Sequence, residues 1–242
     1  MGELLTDADV IICTPFYNVQ AFSPYVGSLA ASLRLCWEAG MKTDYWQISG
    51  DSYVWRVRNT FAHKFLHQSK AKYLIFIDSD HAWDIMGFSN LIKAPVDVVG
   101  AAYPCKNNWD FWSVFHKIVE DGSERPLVDP ATGLIEAVGV PTGMMKISRK
   151  AFETIEAYEP DNFYIDDKGT KFHGFFNHLI ENGRALGEDI SFCMRCARAG
   201  VSVWIEPDIY IEHYGVESHR GNYAEFLMRQ PGGSKEGQPY ED

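Results

Sequence analysis

The stretch Asp78-Ser79-Asp80 closes a run of apolar and aromatic residues, YLIFI, from Tyr73 to Ile77. Two carboxylates one residue apart at the edge of a dry core repel each other, and the repulsion grows as the local dielectric falls. A divalent cation turns that repulsion into coordination. Mg²⁺ and Mn²⁺ take hard carboxylate oxygens and leave their other positions to water and substrate phosphates. A strand that ends in Asp-x-Asp therefore points to a metal held next to a phosphate ligand.

Other residues suit the same chemistry. Glu188 and Asp189, in GEDISFCMRCARAG, open a predicted helix. Acidic residues there stabilise the helix dipole and cap its amides, which accounts for one of the two; the other is free for proton transfer. His213, in IEHYG, is a reasonable ligand for Mn²⁺, or else a strand histidine bonded to a carbonyl. Arg56 and Arg58 lie two apart in VWRVRN, where either guanidinium can grip a phosphate with two bonds. On a helix that spacing points them in different directions, so only one faces a common site. Lys106 is a weaker phosphate candidate. Gly143, in PTGMM, marks a close backbone approach or a strand turn.

The elements that would position these residues read in a regular rhythm. DVIICT (9–14) is a short β-branched strand running into Thr14-Pro15. Helical spacing over 24–39 ends at Gly40, and TDYWQI (43–48) alternates as a second strand. VWRVRNTFAHKFLHQ (54–68) reads as a helix, 73–77 as the third strand, 83–93 as a short helix and VDVVGAAY (96–103) as a fourth strand. Strand–helix alternation of this kind argues for a parallel sheet with helices on both faces. In such sheets ligands sit at the carboxyl ends of the strands, here Thr14-Pro15-Phe16, Asp78-Ser79-Asp80 and Tyr103-Pro104. The second half is less regular. It offers hairpin-like stretches over 109–140, a strand at 141–147, and a helix over 148–158 capped by Ser148. A polar and aromatic stretch, 159–187, is expected to be a mobile loop. The helix at 187–200 follows, then short strands at 201–205 and 208–215.

Composition bounds the remaining possibilities. The chain has 242 residues, of which 46% are hydrophobic and 23% charged, with a net charge of -11. That is ordinary globular composition for one large α/β domain. The negative balance argues against a nucleic-acid backbone as main partner, although a modified base as acceptor is not excluded. Five scattered cysteines suggest no disulfide framework, which fits a reducing, cytoplasmic compartment. Neither a signal peptide nor a membrane span is read from the sequence. Cys193 and Cys196 are expected to be buried helix residues, since a structural zinc needs four ligands. Trp109, Phe111, Trp112 and Phe115 are expected mostly to pack, with a sugar platform as the alternative.

The ordered set of these motifs resembles the nucleotide-sugar glycosyltransferases of the GT-A fold. Strand–Thr-Pro, Arg-x-Arg-Asn, Asp-x-Asp, Gly-Met, Glu-Asp and a late His carry the resemblance over roughly residues 9–215. It implies a GT-A-like, Rossmann-type mixed sheet with flanking helices in a single domain. That domain would span 1–217, with a nucleotide-sugar-binding half (9–103), an acceptor-facing half (104–217) and a flexible tail (218–242). It also implies a metal-dependent hexosyltransferase that uses Mn²⁺ or Mg²⁺ and a nucleoside diphosphate sugar, such as UDP-glucose or UDP-galactose. By resemblance Asp80 is a direct metal ligand, Asp78 a ribose contact or water-mediated ligand, and His213 a further ligand. Thr14, Pro15, Phe16 and Tyr17 would meet the nucleobase and ribose, with Ser79, Arg56, Arg58, Gly143 and Met144 beside the donor. Asp189, and after it Glu188, would serve the acceptor, as general base in an inverting enzyme.

Two other classes share some of these features. A phosphatase of the haloacid dehalogenase type also places Asp-x-Asp after a strand, with the first Asp as nucleophile. There the motif continues with Thr or Val near the start of the chain, whereas here His81 follows and the motif comes late. A sugar- or nucleotide-binding module without catalysis would bind the donor and not turn it over.

Overall fold

The computed structural model describes residues 6–106, 108–120, 125–215 and 218–229, with the side chains of 108–110, 218 and 219 left aside. The chain begins β1 (Val10–Phe16), α1 (Ser23–Glu38), β2 (Thr43–Ser49), α2 (Val54–Gln68), β3 (Tyr73–Ile77), β4 (His81–Trp83), α3 (Ile85–Lys93) and β5 (Val98–Ala101). The middle adds β6 (Pro104–Cys105), β7 (Asn108–Trp112), β8 (Phe115–His116), β9 (Ile135–Gly139), β10 (Met144–Ser148) and α4 (Arg149–Tyr158). Then come β11 (Phe163–Ile165), β12 (Lys171–His173), β13 (Ile180–Glu181), β14 (Arg184–Ala185), α5 (Glu188–Arg198), β15 (Val203–Glu206), β16 (Tyr210–Tyr214), β17 (Ser218–Asn222) and α6 (Tyr223–Arg229).

Eight strands form one mixed sheet in the order β2-β1-β3-β10-β5-β15-β9-β8. β1 lies parallel to β2 and β3, and β10 runs antiparallel between β3 and β5. The sheet is mixed, as the fold resemblance implies, and β1 with β2 and β3, and β5 with β15, keep the parallel pairing that the strand–helix rhythm suggests. β10 comes from the second half of the chain and separates β3 from β5, a long-range pairing that local periodicity does not reveal.

Alternation along the strands divides the core into two layers. Ile11, Cys13, Leu74 and Phe76 face one side, where α2, α4 and α5 contribute Phe61, Phe65, Phe152 and Phe192. Val10, Ile12, Ile75 and Ile77 face the other, against Tyr25 and Cys36 of α1 and Phe88 and Leu91 of α3. Burying large apolar side chains on both faces, at about 25 cal/mol per Å², is what holds the sheet between its helices. Local signals fix the helix ends. Ser148 accepts a hydrogen bond from Ala151 N at 3.0 Å, and Gly40 and Gly200 take the positive φ that ends α1 and α5.

A second, three-stranded sheet, β17-β16-β4, leans against the main one. It overturns two expectations. The helix predicted from 83 begins at Ile85, because His81–Trp83 pair with β16 as β4. The flexible tail predicted from 218 is replaced over 218–229 by β17 and α6, whose Tyr223 and Phe226 pack on Trp112. Residues 230–242 lie outside the described residues. The stretch 159–187 also departs from a mobile loop. It forms two small hairpins and is pinned by buried Phe175 and Phe176 and by a 3.0 Å hydrogen bond from Asn59 to Asn177. Cys193 and Cys196 are buried and free, as their helix position predicts.

Candidate functional site

The carboxyl ends of β1 and β3 frame a cleft of about 160 Å³. Pro15, Phe16 and Tyr17 line one part of it, Asp78, Ser79 and Asp80 another, and Asp51, Ser52, Val54 and Val57 a third. Tyr17 is 72% exposed and free to stack on a planar ligand.

The two carboxylates of Asp-x-Asp have different partners. Asp78 is held by Arg58 of α2, whose Nη2 donates to Oδ1 at 3.0 Å and Oδ2 at 3.1 Å. Arg58 is 2% exposed and lies over the Phe76 ring. Its Nε is also 3.5 Å from Glu188 Oε1 at the start of α5. Burial opposes its charge, but Asp78 and Glu188 outweigh that and raise its pKa. Arg56 turns to the surface and grips Asp51 through two hydrogen bonds of 2.7 and 2.8 Å. The helix thus turns Arg58 onto Asp78 and Arg56 onto Asp51 at the rim of the cleft, two directions that follow from their spacing.

Asp80 has a cationic and aromatic environment. Its Oδ2 pairs with Lys106 Nζ and lies 4.0 Å from His213 Nε2. Its Oδ1 is 3.1 Å from His81 Nδ1, but the contact is not aligned as a hydrogen bond, so Oδ1 and both ring nitrogens of His81 lack such partners. Burial opposes ionisation of Asp80, yet His81 and Lys106 hold its carboxyl well below the usual range. His81 stacks flat on His213 with ring centroids 4.5 Å apart, and Tyr103 packs edge-on to both. This stack follows from strand register: His213 of β16 sits opposite His81 of β4.

Burial, reinforced by His81, lowers the His213 pKa to about 4, so the ring is neutral at neutral pH. Its Nδ1 is 3.0 Å from the Pro104 carbonyl oxygen, which only accepts, so Nδ1 carries the proton and Nε2 presents a lone pair. That lone pair faces a carboxylate oxygen. Asp80, His81 and His213 each offer a ligand atom, and these atoms lie within 4.8 Å of one another. Orphaned buried acceptors, a neutral histidine and a carbonyl that fixes its tautomer fit a divalent cation. Asp78 lies outside this ligand group.

Asp189 sits beside Glu188 and accepts from Ile190 N at 2.7 Å. Burial, then the neighbouring Glu188 charge, raise its pKa to about 6. Asp78, Asp189 and Asp80 all act on buried Tyr103, whose pKa is raised first by burial and then by those carboxylates.

Some expected site residues lie elsewhere. Thr14 is fully buried and bonds Tyr25 Oη at 2.5 Å, on the same strand face as the cleft-lining Phe16 but one step deeper in the sheet. Met144 is fully buried in the sheet core. Gly143 is buried as well. A Cβ there would lie 2.2 Å from Tyr103 Oη and 2.7 Å from His81 Cε1, so the close approach is to those rings. Its amide donates to Tyr103 Oη at 3.1 Å, and its carbonyl accepts from Asp78 N at 2.9 Å. Tyr103 lies at a strand end expected on the rim, whereas His81 is a site residue that the sequence reading did not single out. The available signal was two short alternating stretches, HAW and YIEHY, able to pair.

No family model matches the chain, and no curated protein is significantly similar to it in sequence. In structure it is similar to A197 from STIV, with a TM-score of 0.52, 17% identity and 85% of each chain covered. It also aligns with a glycosyltransferase involved in the glycosylation of the major capsid of PBCV-1, over 62% of this chain and 64% of that one, at 14% identity and a TM-score of 0.29. A third likeness is to 4-diphosphocytidyl-2C-methyl-D-erythritol synthase from Anaerococcus prevotii, over 66% and 81% of the two chains, at 10% identity and a TM-score of 0.35. The likeness to A197 is one of fold; the other two are too distant to carry an argument. Among the described residues no helix is long and apolar enough to cross a membrane.

Proposed function

We propose that the protein is a metal-dependent glycosyltransferase that moves a hexose from a nucleoside diphosphate sugar, most simply UDP-glucose or UDP-galactose, to an acceptor hydroxyl. The observation that carries this reading is the neutral His213 presenting Nε2 to Asp80, beside a cleft lined by Tyr17 and Phe16. Asp80 and His213, with His81 behind them, are the residues that would hold Mn²⁺ or Mg²⁺. When bound, the cation supplies Lewis-acid stabilisation of charge on the leaving diphosphate.

The chain's own groups do the remaining work. Tyr17 and Phe16 receive the nucleobase. Lys106, whose ammonium otherwise balances Asp80, is placed to meet a phosphate oxygen. Arg58 serves as a buried strap that fixes Asp78 and Glu188 in register, in place of the phosphate contact expected from sequence. Asp189 takes the acceptor proton: a carboxylate with a pKa near 6 is still ionised at neutral pH and is a stronger base than an ordinary aspartate.

The same arrangement counts against a phosphatase in which the first aspartate attacks phosphorus, because both Asp78 oxygens accept hydrogen bonds from a buried guanidinium. The test is UDP release from UDP-glucose and UDP-galactose with and without Mn²⁺. Metal-dependent release supports the reading. Donor binding with no release in the presence of candidate acceptors indicates a silent binding module. No binding to nucleotide sugars, together with hydrolysis of p-nitrophenyl phosphate, overturns it.

A further inference from the structure

A second group of ligand-type side chains lies along α2, beyond the cleft. Val54 and Val57, near the start of the helix, line the cleft. The later part of the helix carries His63 and His67, four residues apart and so on one face. Their ring centroids are 4.5 Å apart. They line a separate cavity of about 390 Å³ together with Glu156 of α4 and Lys171 and His173 of β12. His173 is 7% exposed, and its Nε2 has no hydrogen-bond partner. The Lys171 ammonium sits over the Phe163 ring at 3.8 Å. The candidate catalytic machinery uses none of these groups.

We propose that this cavity binds a transition-metal dication such as Zn²⁺, with His63 and His67 as the primary ligands and His173 and Glu156 as the further donors. Two histidines at i and i+4 on one helix face form a spacing that holds zinc in other helices. Imidazole nitrogens and one carboxylate suit zinc, nickel and cobalt better than magnesium. Burial, and the closeness of the two rings, lower the His63 pKa, and burial lowers that of His173 to about 4, so both are in the neutral form that ligates. Among the described residues only Asp80, His81 and His213 already bring three ligand atoms within 4.8 Å. A third ligand at the second cavity would require His173 or Glu156 to move onto the His63–His67 pair. It would tie the β11–β12 hairpin and α4 to α2.

This inference does not depend on the proposed activity, and its test is arranged to separate the two sites. Tag-free full-length Asp80→Asn protein is titrated with Co²⁺ and Zn²⁺, followed by the visible absorption of Co²⁺, by calorimetry and by thermal melting. The expected result is one remaining equivalent of metal and a raised melting temperature, both lost when His67→Gln or His63→Gln is added. His67 is exposed, so the variant should melt like its parent without metal. Binding unchanged by both histidine substitutions, or no binding in the Asp80→Asn protein, overturns the proposal.

Discussion

Asp78 and Asp80 are separated by one residue, yet they sit in two different electrostatic regions. On the Asp78 side a buried guanidinium joins the end of β3 to the start of α5, on an apolar floor made by Phe76. On the Asp80 side an ammonium and two stacked imidazoles face a carboxylate with unmet acceptor capacity. In the first region one buried cation is already shared between two carboxylates. The second is left open to a cation. The lesson is that Asp-x-Asp gives two carboxylates with separate duties, and that partners from distant parts of the chain assign them.

Breaking the scaffold side should have the largest effect on stability. Arg58→Met leaves Asp78 and Glu188 without their counter-charge, and a broken buried ion pair costs about 3–5 kcal/mol. Urea unfolding should show that loss, with Arg58→Lys recovering part of it. The junction between the two regions comes next. Gly143→Ala drives a methyl into Tyr103 and His81, an overpacking that costs about 1–3 kcal/mol and should weaken metal binding as well.

Asp189 sharpens the contrast from the acceptor side. Its folded pKa, about 6, lies above its unfolded value of 3.8, so ionising it in the folded protein is unfavourable. The stability contributed by its protonated form is present below pH 4 and lost as pH rises through 6. Asp189→Asn should therefore stabilise the protein above pH 6, by on the order of 1–3 kcal/mol, and the gain should vanish below pH 4. Turnover should nonetheless collapse, and the rise of kcat/KM through pH 6 in the parent protein should disappear. The smallest effect on stability belongs to the exposed arginine. Arg56→Ala removes an exposed pair with Asp51 and should change stability by about 0–1 kcal/mol in urea unfolding.

The contrast also separates what the sequence discloses from what it does not. β3 and α2 appear at their expected positions, 73–77 and 54–68, because each carries its own period and end signals. The strand end that presents Asp78 and Asp80, and the helix that carries Arg58, were therefore legible. The partners that distinguish the two carboxylates were not. His81 meets His213 through pairing of residues far apart in the chain, and β10 enters the sheet the same way. A three-residue strand such as His81–Trp83 is too short for periodicity to reveal. Thr14 was misplaced for a related reason. It shares a strand face with the cleft-lining Phe16, but it lies one step deeper, where its hydroxyl meets Tyr25 under the rim. The 159–187 stretch looked irregular because its order rests on tertiary contacts through Phe175, Phe176 and Asn177.

The most direct test of the open side is calorimetric titration of UDP-glucose into the parent protein, Asp80→Asn and His213→Gln, each with Mn²⁺ and again after chelation. The account predicts binding that requires Mn²⁺ in the parent protein, is lost in Asp80→Asn and is weakened in His213→Gln, with all three proteins equally folded. Binding of equal strength without metal, or binding that survives Asp80→Asn, would contradict it.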